Sequence, residues 1–295
     1  MNRTSWEKLA ILIPTRNRPE ILATTLAELR KIGMGETALW VYDDASDDEE
    51  AIRETVARNW PNGSIIRGEK RVGQAEGRNA LMRACRKEYG LFLDDDSFPA
   101  SSDGLARHLN PNTRPVHRAV TTFQYKSMAD GKLSTNPAVR SGTCVSFLGG
   151  GSIFHIPSVL AVGGFRKFFV YGYEEPELAM RLWLNGYEIW YDPDVVISHN
   201  HFETPNECRD HREYDYLYAR NGILMSSLNL PLWFGLPHGL VRSFRRSLHR
   251  RRNFGAKAGG TLAGLWLSLT LWRERTPCQF KKALAWCRHI KATRT

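Results

Sequence analysis

The sequence predicts an α/β protein: a mostly parallel, Rossmann-like sheet flanked by helices, followed by a helical and basic C-terminal region. Three observations carry this. From Leu9 to Leu93, short apolar runs alternate with helically spaced segments in the order strand, helix, strand, helix, strand, helix, strand, and that alternation implies parallel strands joined by right-handed crossovers. The first, second and fourth runs each open into a polar turn, and two of those turns are acidic. Beyond Pro237 the charge changes: fourteen Lys and Arg face one acid, Glu274, a net of +13 in a chain of net +10, so the preceding residues sum to −3.

Length and composition are those of a soluble globular protein. With 295 residues the chain can bury one large core or two modest ones, and 42% hydrophobic and 24% charged residues are ordinary values. The apolar run Leu9–Ile13 is too short for a signal peptide, and no stretch approaches the ~18 apolar residues of a membrane span. Five scattered cysteines without a C-x-x-C pair argue against a disulfide framework and a structural zinc site, and fit a cytoplasmic setting.

Leu9–Ile13 reads as a buried strand ended by Pro14, with Thr15, Arg16 and Asn17 in the polar turn that follows. Glu20–Lys31 is a helix by the spacing of Ile21, Leu22, Leu26 and Leu29, closed by Gly33. Ala38–Tyr42 is the second strand. It leads to Asp43 and Asp44 and to a helix capped by Ser46 with Glu49 as capping-box partner, ending near Asn59. Ser64–Arg67 is the third strand, and a helix of about fifteen residues starts beyond Gly73 and is stopped by Gly90. Leu91–Leu93 is the fourth strand. In such sheets ligands bind beyond the carboxyl ends of the strands, so the turns 14–18, 43–47 and 94–97 share one edge.

Past residue 100, Val116–Tyr125, Cys144–Leu148 and Ile153–His155 read as strands, with Gly149–Gly151 permitting close backbone approach. Pro157–Val162 is a short helix. Glu174, Glu175 and Glu177 occupy the first turn of a helix closed by Gly186, where the helix dipole favours acids. Glu188–Tyr191 and Val195–Ser198 are short strands leading to His199. Glu213–Asn229, Leu240–Arg252, Thr261–Trp272 and Phe280–Ile290 are helical, two of them basic and amphipathic. The expected domains are 1–205, divided into a nucleotide-binding half 1–99 and an acceptor half 100–205, and the helical region 206–295.

Asp94, Asp95 and Asp96 sit directly after the fourth strand. Neighbouring carboxylates at a strand end raise one another's pKa and resist desolvation. A bound Mg²⁺ or Mn²⁺ relieves this, since hard cations prefer carboxylate oxygen and share other positions with water and phosphate. The alternative is a solvated acidic turn.

With these residues in order, the chain resembles glycosyltransferase family 2, the inverting enzymes with an A-type nucleotide-sugar fold. "ILIPTRNRP", "VYDDASDD", "GRNALMRACRKEYGLFLDDD" and the stretch from "GGF" to "VVISH" carry the resemblance, over Leu9 to His201. It implies that Pro14, Thr15, Arg16 and Asn17 lie beside the nucleotide base and that Asp44 accepts a hydrogen bond from a uracil or thymine ring. Arg78 lies near ribose or diphosphate, Asp94 and Asp95 hold ribose or support the metal, Asp96 binds the metal, and His199 reaches it. Glu175 matches the catalytic base, with Glu174 and Glu177 as alternatives. The implied reaction is transfer from a UDP- or dTDP-linked sugar to a hydroxyl acceptor, in polysaccharide, glycolipid or natural-product synthesis. A carboxylate takes the acceptor proton and a metal ion supports the departing diphosphate.

Each residue also has a structural reading. Asp44 and Glu175 suit helix starts, Arg16 and Arg78 suit solvated or ion-paired positions, and Trp183, Trp190, Trp266 and Trp272 suit packing. The basic tail reads either as docking helices or as basic amphipathic helices with aromatic anchors on an anionic membrane, at the inner face, which fits a lipid-linked acceptor. A nucleotidyltransferase would need a Gly-rich, Lys-bearing loop after the first strand, and "PTRNRP" lacks it. A nucleic-acid-binding protein would gain nothing from acidic turns, so nucleic acid is not an expected partner.

Overall fold

A computed structural model describes residues 6–110, 115–135, 138–200, 211–249 and 253–292. The chain divides into two compact units, Met1–Lys167 with Asn185–Phe202, and Phe168–Leu184 with Glu203–Thr295. Residues 168–184 are thus grouped with the second unit and 185–202 with the first.

The first unit holds strands β1 (Leu9–Thr15), β2 (Ala38–Asp43), β3 (Ser64–Arg67), β4 (Tyr89–Leu93), β5 (Ser97–Pro99), β6 (Arg118–Ser127), β7 (Gly142–Thr143), β8 (Gly151–His155) and β9 (Glu188–His199). Its helices are α1 (Pro19–Lys31), α2 (Glu49–Asn59), α3 (Gln74–Ala84) and α4 (Ile156–Ala161). The nine strands form one sheet in the order β3-β2-β1-β4-β8-β6-β9-β5, with β7 paired to β9. The half read from the sequence, β3-β2-β1-β4, is parallel throughout. Beyond β4 the sheet is mixed: β8 runs antiparallel to β4 and β6, while β6 and β9 are parallel.

All seven residues of β1 are buried, which is why that strand is an unbroken apolar run rather than an alternating one. Leu22, Leu26 and Leu29, spaced i, i+4, i+7 on α1, join Ile11, Ile13, Leu39, Val41 and Leu91 in the core. Removing one such side chain, as in Leu26→Ala, costs about 2–5 kcal/mol.

Four local expectations are corrected. Asp48, not Ser46, caps α2 by accepting the Ala51 N–H, because the Ser46 hydroxyl donates instead to Asp43 Oδ1 at 2.5 Å. The third helix, α3, ends at Ala84 with Cys85 extended, so it is shorter than expected. Cys144–Leu148 forms no strand; its backbone reaches Ile189 O from Cys144 N and Thr122 Oγ1 from Leu148 N without a ladder. The two strands expected around Pro193 are one, β9, in which the register on β6 jumps between Asp192 and Val196. Asp192 Oδ1 accepts the Asp194 N–H across that irregularity.

The second unit contains α5 (Glu174–Leu184), α6 (His211–Asn229), α7 (Leu232–His249), α8 (Phe254–Thr270) and α9 (Phe280–Ala292). Helix α6 packs against both α7 and α8. Its approach to α8 requires glycine: a Cβ on Gly260 would lie 2.2 Å from Tyr216 O, and one on Gly264 would lie 2.8 Å from Arg220 O. Trp183 packs as expected, on Trp286 and His289; in the first unit Trp190 lies under Arg118. Trp266 and Trp272 are instead largely exposed. Among the described residues no helix is long and apolar enough to cross a membrane, and Cys85, Cys144, Cys278 and Cys287 are free thiols.

Candidate active site

The ends of β1, β2 and β4 bring the expected turns to one sheet edge, as parallel pairing requires. Asn17 ties two of them together. It donates from its backbone N–H to Ser46 Oγ at 2.9 Å and from Nδ2 to Asp47 Oδ2 at 2.8 Å, and its Oδ1 accepts the Asp47 N–H at 2.7 Å. Arg16, half-buried, lies 3.7 Å from Asp47 Oδ1. Pro14 is buried within β1. Asp44 is buried, and its two oxygens accept the Val72 and Gly73 N–H groups at 2.7 and 2.9 Å. Asp43, which the sequence reading left without a role, accepts from Ser46 N and from Arg67 and fixes the turn after β2.

Asp94, Asp96 and His199 converge, each offering a ligand atom within 4.8 Å of the others. The convergence follows from strand pairing. Ser97 pairs with His199 between β5 and β9, and Asn200 N donates to Asp96 O at 2.8 Å. His199 Nε2 thereby stands 3.1 Å from Asp96 Oδ1. On the other side Asp94 receives Arg78 Nη2 at 3.1 Å, and Arg78 lies 5.7 Å from the Phe165 ring. Gly150 completes the cradle: a Cβ there would lie 2.1 Å from Asp94 Oδ2. Two carboxylates and an imidazole around one point suit a divalent cation that accepts both oxygen and nitrogen, so these residues fit a metal. His201 lies outside the described residues.

Asp95 points the other way. Its side chain accepts Thr15 Oγ1 and Arg18 Nη1, each at 2.7 Å, and its backbone oxygen accepts Thr25 Oγ1. Burial lifts its carboxyl to about 7, against the pull of Arg18 and Thr15. Arg18 Nη2 also reaches Asp96 Oδ2 at 3.3 Å. Burial opposes ionisation of Asp96, but His199 and Arg18 outweigh it and hold the carboxyl below its usual range. Desolvation likewise opposes charge on His199, and Asp96 overcomes it and raises the imidazole. Arg18 was not singled out in the sequence, where only its place in "PTRNRP" beside other turn residues is visible.

The three glutamates lie on α5 in the second unit. Glu177 is fully buried and bidentate with Arg181 at 2.8 and 2.7 Å, and it accepts Asn229 Nδ2 at 3.1 Å. Glu174 is buried and Glu175 half-buried. Tyr173, just before them, has φ +71°, a left-handed conformation that an aromatic residue rarely adopts. Such outliers persist where surrounding structure holds them, and Arg242 lies 5.3 Å from the Tyr173 ring.

Residues 10–145, a little under half of the chain, match the family model described as glycosyl transferase family 2. Among solved structures, the first 349 residues of TarS from S. aureus superpose with a TM-score of 0.64 at 17% identity, over 88% of this chain and 80% of that one. GalNAc-T7, solved with UDP, GalNAc and Mn²⁺, gives 0.62 at 13% identity, over 90% of this chain but 57% of its own length. The mannosyltransferase PcManGT from Pyrobaculum calidifontis, solved with GDP-Man and Mn²⁺, gives 0.55 at 16%, over 97% and 84%. The expected A-type glycosyltransferase fold is therefore present. No curated protein sequence matched the chain.

Proposed function

We propose that the chain is a metal-dependent, inverting glycosyltransferase that moves a hexosyl or deoxyhexosyl group from a nucleoside-diphosphate sugar to a hydroxyl acceptor. The observation that carries the reading is the convergence of Asp94, Asp96 and His199 at the strand ends. Structures of similar fold solved with UDP-GlcNAc, with GDP-Man and Mn²⁺, or with UDP and Mn²⁺ support it. Asp94, Asp96 and His199 would hold Mg²⁺ or Mn²⁺, which supplies a Lewis acid beside the departing diphosphate.

The chain's own residues have these roles. Asp44 holds the 72–73 segment through one lone pair on each oxygen and keeps others for a pyrimidine ring N–H. Pro14, Thr15, Arg16 and Asn17 form the floor beside the base, with Asn17 joining the turns after β1 and β2. Arg78 keeps Asp94 oriented and adds positive charge beside the diphosphate. Asp95, bound to Thr15 and Arg18, supports the acidic turn from beneath. Glu175 takes the proton from the attacking hydroxyl; Glu177 is committed to Arg181 and Asn229. The donor proposed is a UDP- or dTDP-linked sugar, and a lipid-linked hydroxyl is the acceptor class that the basic C-terminal region suits.

Calorimetric titration of UDP, dTDP and GDP with and without Mn²⁺ tests this. The expected result is binding of at least one diphosphate that tightens with Mn²⁺ and loses the metal effect in Asp96→Ala. Metal-independent binding, identical in the variant, would remove the reading.

A further inference from the structure

Helix α8 is built the wrong way round for a water-facing helix. Its inward face, against α6, is lined by Lys257, Gly260, Gly264 and Ser268, with Ser268 Oγ 2.7 Å from Ser227 Oγ. Its outward face carries Phe254, Leu262, Trp266 and Leu269, the last three 67%, 64% and 64% exposed, and Trp272 beyond its end is 63% exposed. Leu262, Trp266 and Leu269 fall at i, i+4 and i+7, one stripe of the helix. A helix in water buries its large apolar residues and exposes its polar ones. Here, beyond Lys257, the small residues Gly260, Gly264 and Ser268 face the neighbouring helix and large apolar ones face out, the arrangement helices adopt when the surrounding medium is apolar.

The charge says which apolar medium. The chain from Pro237 onward carries +13, and Arg273, Lys281 and Arg288 are exposed in this region. A second copy on this face would set two such regions against each other, and like charges repel. An anionic bilayer offers both an acyl layer for Leu262, Trp266 and Leu269 and phosphate headgroups for the cations. Tryptophan also favours the headgroup boundary. We infer that the outward stripe of α8, with Trp272, is a monotopic membrane face that lies in the headgroup region of an anionic bilayer. This names the surface that meets the membrane, and it places that role on α8 rather than on the basic amphipathic stretches. It does not depend on glycosyl transfer.

The test is sedimentation of the full chain with vesicles of phosphatidylcholine alone or containing phosphatidylglycerol. The expected result is co-sedimentation with the anionic vesicles, weaker on pure phosphatidylcholine. Two large side chains leave the bilayer in Leu262→Asp/Trp266→Asp, so that variant should bind about a hundredfold more weakly. Both positions are exposed, so its thermal midpoint should match that of the native chain. A second variant, Lys281→Glu/Arg288→Glu, should bind anionic and neutral vesicles alike. Native chain that stays in the supernatant, or undiminished binding by Leu262→Asp/Trp266→Asp, overturns the inference. So does lipid-free self-association abolished by that variant, since a second copy would then cover the stripe.

Discussion

Gly150 and Asp94 are so close that a single added carbon on the glycine would fall 2.1 Å from Asp94 Oδ2. The obstructed atoms are the whole carboxylate, with Cγ at 2.3 Å and Oδ1 at 2.7 Å, so Gly150→Ala should be accommodated by swinging the entire Asp94 side chain away. That rotation breaks the Asp94–Arg78 contact, a charged hydrogen bond of about 1.5–3 kcal/mol. The variant should fold with a loss of that order while Mn²⁺-dependent nucleotide binding falls at least about tenfold, as expected when a supporting partner of a ligand is lost. Denaturant melts and calorimetry separate the two effects; unchanged metal-dependent binding would take Asp94 out of the ligand set.

Arg18 is the cation already at the acidic turn, bonded to Asp95 and Asp96. Arg18→Ala would leave the buried Asp95 carboxylate without its counter-charge and Asp96 with His199 alone, a change worth roughly 3–5 kcal/mol. The variant should therefore melt earlier without metal. Mn²⁺ should then raise its melting temperature more than it raises that of the native chain, because the ion replaces the missing charge. Equal shifts would mean that Arg18 and the ion do not share Asp96.

The contrast between Asp96 and Arg18 shows what the sequence can reveal. The turns after β1, β2 and β4 were legible because each follows an apolar run, and parallel topology alone gathers such turns. His199 was legible only through the family resemblance; its contact with Asp96 depends on β5, a three-residue strand with no periodic signal. Arg18 binds Asp95 across 77 residues, a distance over which local pattern carries no information. Ser46 looked like a helix cap because its competing acceptor, Asp43, belongs to the preceding strand. Trp266 looked like a packing residue because periodicity gives a stripe and not the side of the helix that is covered.

Asp192 predicts the acid response of the first unit. It is buried, with His108 Nε2 at 2.7 Å and Arg107 Nη2 at 2.5 Å. Burial pushes its carboxyl up, but His108, Arg107 and the Asp194 N–H outweigh that and hold it down at about 2. Because this lies below the ordinary carboxylate value, the contribution is full above about pH 4 and disappears as the pH falls through about 2, an effect of about 2 kcal/mol. Asp192→Asn should be less stable than the native chain at pH 6, and the gap should close toward pH 2. A gap of constant size in denaturant melts across that range would show that the charge is not what stabilises.

Glu175 and Glu177 lie two residues apart on α5 and should fail in opposite ways. Glu177 is fully buried against Arg181, so Glu177→Ala strands a buried guanidinium and should cost roughly 3–5 kcal/mol, with activity lost through unfolding. Glu175 is half-buried, and Glu175→Gln should leave the melting temperature and donor binding nearly unchanged. If Glu175 is the general base, transfer should fall by roughly 10²- to 10⁴-fold, with the deficit in kcat rather than KM for the donor, since the lost step is proton removal. Full turnover by Glu175→Gln would return the role to Glu174, the remaining carboxylate of that first turn.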